Sequence, residues 1–300
     1  MIALLEALLA QTPAADVAGP AQINLVQAIV LGIVQGLTEF LPISSSAHLK
    51  VVPIALGWGD PGVAYTAVIQ LGSIVAVLWY FWKDLTNITF GAVDALVRRD
   101  YKSQEFRIAL GIVLGTIPIV FFGLLIKALV PDFDKSPLRS LASIAIASIV
   151  MSLLLAIAEK TGRRSRPFEK LTVPDGILMG LAEAIALIPG CSRSGSTLTA
   201  GLFMGLERPA AARFSFLLGI PAITLAGLVE LKGALGEGIG DAGVAALIVG
   251  TISAFVFSYL SIAWLMKFLQ TQNTWVFVWY RLAFGVAILT ALAGGAVNNI

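Results

Sequence analysis

Charge is scarce in this chain. Lysine, arginine, aspartate and glutamate make up 13% of its 300 residues, about half the roughly 25% usual in soluble domains. Hydrophobic residues make up 58% and the mean hydropathy is +0.90. This balance excludes a water-soluble globular class and indicates an integral membrane protein. Cysteine is limited to Cys191, which excludes an intrachain disulfide and a cysteine-based metal site. Histidine is limited to His48. A basic surface interleaved with aromatics is also missing, so nucleic acid is not an expected partner. The opening run "MIALLEALLAQTPAAD" has no positive n-region and is interrupted by Glu6, so it does not read as a signal peptide. Residues 1–22 read instead as a short interfacial helix and a linker.

Long apolar runs stand where charge is missing. A hydrocarbon core of about 30 Å is crossed by roughly 20 helical residues. Six runs reach that length, at about 63–82, 106–130, 138–158, 209–231, 243–267 and 276–295. Two others are broken. Residues 23–41 are apolar up to Pro42, pass through "SSSAH" and continue only to about 57. Residues 174–188 are apolar up to Pro189-Gly190, pass through "CSRSGST" and continue only to about 206. Ten helical residues rise about 15 Å, half a bilayer. Polar non-helical backbone at that depth persists only where protein buries it or a cavity hydrates it. Each broken run therefore predicts a re-entrant helix–loop–helix.

The order is a broken pair, three spans, a broken pair, three spans. An odd number of spans makes the second unit enter from the opposite face, which is an inverted-topology repeat. The expected fold is thus an all-α integral membrane protein in one membrane domain. Residues 23–172 form the first repeat and residues 173–300 the second. Each is a re-entrant helix–loop–helix plus three transmembrane helices, and the two polar loops meet near the midplane.

Basic residues orient this arrangement. One side holds Lys83, Arg98, Arg99, Lys102, Arg107, Lys160, Arg163, Arg164, Arg166, Lys170, Arg208, Arg213 and Lys267, thirteen in all. The other holds Lys50, Lys127, Lys135, Arg139 and Lys232, five in all. The positive-inside rule makes the first side cytoplasmic. Both termini and the first broken loop then open outward. The loops at 84–104 and 159–172 face the cytoplasm.

Ionisable residues within the membrane are costly and mark functional sites. Gln35 and Glu39 are four apart and share a helix face. Glu39 lies in the last turn before Pro42, where the helix dipole disfavours a carboxylate. A metal ion or an arginine would offset that cost. Ser44, Ser45 and Ser46 precede the returning helix. One of them is an N-cap; capping does not account for three with His48 one turn on. In "PGCSRSGST", Gly190 and Gly195 permit tight backbone. Ser192, Ser194, Ser196 and Thr197 offer donors at a helix start, and Arg193 adds a guanidinium matched to phosphate. Arg281, about five residues into the last span, reads as a second anion ligand or as a snorkelling side chain. Glu183 reads as a structural partner, Asp175 as a cap and Cys191 as a small buried hydrophobe.

Two chemical schemes fit the first loop, and the sequence leaves both open. In one, His48 is itself the nucleophile. In the other, Ser45 attacks, His48 accepts its proton, and Glu39 orients the imidazole or holds a metal.

The motifs "QGLTEFLPISSSAH" and "PGCSRSGST", supported by "VIQLGSIVAVLWYFW" and "RFSFLLGIPA", resemble those of the undecaprenyl-diphosphate phosphatase family, also called bacitracin-resistance proteins. The resemblance runs from about residue 24 to 290. It maps the first family motif onto Gln35, Glu39, Pro42, Ser44, Ser45 and His48, and the second onto Pro189, Gly190, Ser192, Arg193, Ser194 and Gly195. Gln35 is the uncharged option at its position, and Ala47 stands where glycine is usual. The resemblance implies hydrolysis of undecaprenyl diphosphate to undecaprenyl phosphate and inorganic phosphate. That reaction recycles the lipid carrier of peptidoglycan synthesis in the bacterial plasma membrane and gives bacitracin resistance. The resemblance also implies a divalent cation, Mg²⁺ or Ca²⁺, with Glu39 as its ligand. His48, Ser45, Glu39 and Arg193 are the expected catalytic residues. Gln35, Ser44, Ser46, Ser192, Ser194, Gly195, Thr197 and Arg281 are expected to bind substrate, in a site opening to the outer side. A homodimer is compatible with all of this.

A transporter is the competing class. Inverted repeats with broken helices and midplane anion sites also move substrates. A phosphorylated lipid or small anion would then pass, with Glu39 and His48 as a proton relay.

Overall fold

The computed structural model describes residues 23–130, 133, 136–237 and 243–299. The expected interfacial helix and linker at 1–22 lie outside these. Eleven α-helices are formed among the described residues: α1 (Leu25–Phe40), α2 (Ser45–Ala55), α3 (Val63–Tyr80), α4 (Trp82–Arg98), α5 (Gln104–Leu129), α6 (Leu141–Thr161), α7 (Val173–Ala184), α8 (Arg193–Phe203), α9 (Arg208–Glu237), α10 (Val244–Thr271) and α11 (Trp275–Ala293).

Local chemistry sets several of these boundaries. Asn24 and Gln27 form a reciprocal capping box that starts α1, and Pro42 follows its end. Thr172 and Asp175 form another at the start of α7, beside Pro174. Asp175 is thus the expected cap. Its carboxylate also takes two hydrogen bonds from Arg166, at 2.9 and 2.5 Å. Each such box satisfies N-terminal amides that the helix itself leaves unpaired.

Five helices are long and apolar enough to cross a membrane: α5, α6, α9 as far as Val229, α10 and α11. The sixth expected span is shorter than its apolar run. Helix α3 ends at Tyr80, and the chain bends by 66° into α4. The expected loop at 84–104 is therefore mostly helical, a correction to the sequence reading. Helix α4 buries Ile88, Ala92 and Ala95 while Phe90, Val93 and Val97 stay exposed. Helices α2 and α8 have eleven residues each, the half-bilayer length expected of the re-entrant arms.

Helix α1 packs along α10, and α7 packs along α5. Both contacts use glycines four residues apart. A methyl group at Gly36 would lie 2.8 Å from the Ala254 carbonyl oxygen; at Gly180 it would lie 1.9 Å from that of Gly115. Without side chains at these positions the backbones approach closely enough for dispersion to hold helices together in lipid. The remaining major contacts join α3 to α10 and α9, and α6 to α11. The largest core cluster gathers around the end of α1, where Phe40 meets Phe216 of α9 edge-on at 5.3 Å. This packing fixes the height at which α1 stops and its polar loop begins.

Ion pairs tie the connectors at the basic end. Glu159, buried near the end of α6, accepts hydrogen bonds from Arg164, Arg208 and Thr274. Arg213 pairs with Asp84 at 2.6 Å and lies over the Phe168 ring at 4.0 Å. These arginines anchor α4, α6 and α9 to one another, and Thr274 ties the start of α11 to Glu159.

Candidate active site

Both helix breaks end on a serine in a strained conformation. Ser44 caps α2 with φ 79° and ψ 101°. Ser192 caps α8 with φ 69° and ψ 117°. Positive φ is uncommon for non-glycine residues and persists only where the surroundings enforce it. The enforcement is mutual, because the two loops meet. Ser194 Oγ donates to the Leu41 carbonyl at 3.0 Å, and Arg193 Nη2 donates to Glu39 Oε1 at 3.4 Å.

Arg281 locks the junction from below. Its Nη1 donates to the Pro42 carbonyl at 3.0 Å, and its Nη2 to those of Gly190 and Cys191 at 2.8 and 3.1 Å. Its Nε donates to the Ser148 carbonyl at 3.3 Å. The residue is 1% exposed. It therefore does not snorkel, and its donors hold four backbone carbonyls. A Cβ on Gly195 would sit 2.7 Å from Arg281 Nη1. Gly195 thus makes room for this clamp.

Glu39 is the hub of the cluster. Its Oε2 accepts from Ser45 Oγ at 2.7 Å and from Gln35 Nε2 at 3.1 Å. Gln35 also donates to Ser73 Oγ at 3.2 Å, and Ser258 Oγ donates to the same oxygen at 2.8 Å. These bonds and Arg193 offset the cost of a carboxylate at a helix C-terminus. Ser73 and Ser258 were not singled out from the sequence. Each is one of several hydroxyls in an apolar helix, and only the packing of α1 against α3 and α10 brings them to Gln35.

Arg193 keeps donors in reserve. Its side chain is 10% exposed. Its Nε and Nη1 are buried with no hydrogen-bond partner. They lie against Gly219, where a Cβ would fall 1.7 Å from Nη1. Buried guanidinium N–H groups without acceptors are rare, and a tetrahedral anion satisfies such a fork. Both carboxylate oxygens of Glu183 and the Ser196 hydroxyl are likewise buried without partners. Glu183 makes no hydrogen bond, and its charged neighbour is Arg193.

His48 stands apart from Ser45. Its Nδ1 lies 2.7 Å from the Ser44 carbonyl oxygen, and its Nε2 lies 2.6 Å from the Tyr280 hydroxyl. Phe284 stacks on its ring at 4.3 Å. The serine scheme has Ser45 give its proton to His48; here Ser45 Oγ donates to Glu39 instead. The remaining candidates divide. Ser44 and Ser46 hydroxyls pair at 3.2 Å, and those of Ser192 and Ser194 at 3.3 Å. Ser192 Oγ caps the Gly195 amide at 3.1 Å. Ser46 is exposed. Thr197 turns away to the Arg193 carbonyl at 2.8 Å and to Ser215 at 2.5 Å.

The geometry joins a carboxylate-bound serine to a guanidinium with spare donors, within apolar helices. Known proteins share the sequence that builds it. The family model described as bacitracin resistance protein BacA matches residues 28–287. The undecaprenyl-diphosphatase of Trichormus variabilis is 70% identical over 281 residues, covering 94% of this chain and 88% of that protein. The undecaprenyl-diphosphatase of Synechocystis sp. is 71% identical over 273 residues, covering 91% and 84%. That of Gloeobacter violaceus is 57% identical over 279 residues, covering 93% and 96%. With its two polar loops inside the matched region, this chain belongs to the bacitracin-resistance protein BacA family.

Proposed function

We propose that the chain hydrolyses undecaprenyl diphosphate to undecaprenyl phosphate and inorganic phosphate, recycling the lipid carrier of cell-wall synthesis and giving bacitracin resistance. The observation that carries this reading is the Ser45–Glu39 hydrogen bond beside the spare N–H groups of Arg193. A nucleophile with its proton acceptor faces an anion ligand. The relatives bear a hydrolase name, which favours this reading over transport of a phosphorylated lipid or small anion.

The diphosphate rests on Arg193 Nε and Nη1. Ser45 Oγ attacks the terminal phosphorus and passes its proton to Glu39 Oε2. The P–O bond to the inner phosphate breaks, and its electron pair leaves with undecaprenyl phosphate. Water then attacks the phosphoserine and gives a proton to His48 Nε2. Ser45 Oγ recovers its proton from Glu39, inorganic phosphate departs, and His48 releases the net proton.

A second reading has His48 Nε2 attack directly. It is favoured by the backing of Nδ1 on the Ser44 carbonyl, which directs the other nitrogen outward. Trapping the phosphoenzyme with labelled substrate separates the two. Phosphoserine is expected, stable to acid and absent from Ser45→Ala. An acid-labile phosphoenzyme that persists in Ser45→Ala would end the serine route.

A divalent cation, Mg²⁺ or Ca²⁺, fits the donor set in one form only. No group of three or more histidine, cysteine, aspartate or glutamate side chains gathers among the described residues. Glu39 supplies one buried carboxylate, next to the Ser45 hydroxyl and the Gln35 side chain. A hard cation takes one carboxylate of this kind and fills its shell with water and substrate phosphate oxygens. Bound there, it would neutralise charge on the diphosphate.

An apolar groove of about 170 Å³ lies between α2, α6 and α11, lined by Val51, Ile54, Leu141, Phe284, Ile288 and Ala291 among others. Phe284 joins it to His48. The prenyl units nearest the diphosphate suit this lining.

The inverted repeat is supported by the packing. Exchanging α1, α2, α3, α5 and α6 for α7, α8, α9, α10 and α11 maps the α1–α10 contact onto α7–α5, and α3–α10 onto α9–α5. The α3–α9 and α6–α11 contacts map onto themselves. In this arrangement the site opens to the outer face of the plasma membrane, and the basic connectors lie in the cytoplasm. A cysteine placed in "TGRRSRP" is expected to resist an impermeant reagent applied to intact cells. Labelling from outside would reverse the orientation.

A further inference from the structure

We propose that Tyr280 is a positioning residue for the hydrolysis, its hydroxyl fixing His48 in the tautomer whose Nε2 can accept a proton. The proposal rests on His48 acting at Nε2, as either route above requires. Tyr280 lies on α11, 232 residues from His48 in sequence. No motif points to it.

The hydrogen bonds leave one neutral tautomer. A carbonyl oxygen only accepts, so His48 Nδ1, at 2.7 Å from the Ser44 oxygen, carries a proton. The lone pair of the neutral ring is then on Nε2, where the Tyr280 hydroxyl donates at 2.6 Å. The strained Ser44 backbone is part of this arrangement. It aims one carbonyl at both the His48 amide, at 3.3 Å, and Nδ1. The ring cannot turn over without losing both bonds. Its plane is held as well: Phe284 stacks at 4.3 Å and 13°, and Tyr280 lies nearly parallel at 14°.

The two partners differ in freedom. His48 is 4% exposed, whereas Tyr280 is 44% exposed. Nδ1 is bound by backbone, and Nε2 is covered by a side chain at the protein's margin. The Tyr280 hydroxyl holds the place that attacking water, or the phosphorus itself, takes during the reaction. It keeps the lone pair directed and unprotonated until that exchange.

One histidine in the chain makes the test direct. Full-length protein labelled with ¹⁵N-histidine, purified in detergent without a histidine tag, gives the nitrogen signals of one imidazole. Near neutral pH, Nδ1 is expected to be protonated and Nε2 unprotonated. In Tyr280→Phe, which keeps the ring stack, the Nε2 signal moves downfield while Nδ1 stays. The kcat of that variant falls about 10-fold with KM unchanged, as loss of one hydrogen bond to a reacting atom would give. A protonated Nε2 in the native protein, or an Nε2 signal indifferent to Tyr280→Phe, would overturn the proposal. So would an unchanged kcat alongside a shifted signal. Full activity in His48→Gln would remove the role of His48 itself, whatever tautomer the spectrum records.

Discussion

Glu39→Gln is expected to lower kcat/KM by about 10³-fold or more, roughly 4 kcal/mol of transition-state stabilisation. Glutamine preserves the shape of the side chain and can still hydrogen-bond to Gln35 and Ser45. It cannot take the Ser45 proton, and it brings no charge to a cation or to Arg193. The substitution also removes the carboxylate hydrogen-bonded to the buried Arg193, which destabilises a fold. Thermal unfolding of the purified variant therefore accompanies the kinetics. Glu39→Asp supplies the complement: it keeps the charge, shortens the reach to Ser45 Oγ and is expected to recover part of the activity. A folded Glu39→Gln protein within about tenfold of native kcat/KM would show that Ser45 does not give its proton to this carboxylate.

Arg193→Lys is expected to lower kcat/KM at least about 10-fold, or roughly 1.4 kcal/mol. The positive charge remains; the fork does not. Arg193 uses Nη2 for Glu39 and leaves Nε and Nη1 without partners, so one guanidinium can hold the carboxylate and an anion together. A lysine ammonium is a point charge and reaches one of them at a time. The glycine at 219 leaves the space in which the guanidinium lies flat. A lysine variant with native kcat/KM would reduce Arg193 to a general attractive charge.

Much of this site is legible in the sequence because membrane depth constrains it. Pro42 and Pro189-Gly190 interrupt runs too short to cross a bilayer, so "SSSAH" and "CSRSGST" have to be buried together. The Arg193–Glu39 contact between them follows from charge inside lipid. What stays hidden is which hydroxyl or ring each group meets. Ser45 and His48 share the first turn of α2, and that spacing suggests a pair. The positive φ of Ser44 instead draws His48 back to the Ser44 carbonyl, and Ser45 turns to Glu39. Ser73, Ser258 and Tyr280 reach the site only through the packing of α3, α10 and α11. Arg281 illustrates the same limit. Its depth along the last span is readable, but not that it faces inward onto the Pro42, Gly190 and Cys191 carbonyls. Helix α4 was hidden by composition. Its polar residues, with Lys83 and Arg98, match a loop as well as they match a helix lying beyond the bend at Tyr80.

The most direct measurement is phosphate release from undecaprenyl diphosphate by the purified protein in detergent micelles, where transport has no second compartment. Native protein is expected to release one inorganic phosphate per lipid, leaving undecaprenyl phosphate. Activity is expected to vanish with EDTA and return with Mg²⁺ or Ca²⁺, and to be lost in Glu39→Gln. Intact undecaprenyl diphosphate after incubation of folded native protein with either cation, or undiminished release by Glu39→Gln, would contradict a hydrolase built on the Glu39–Ser45–Arg193 cluster.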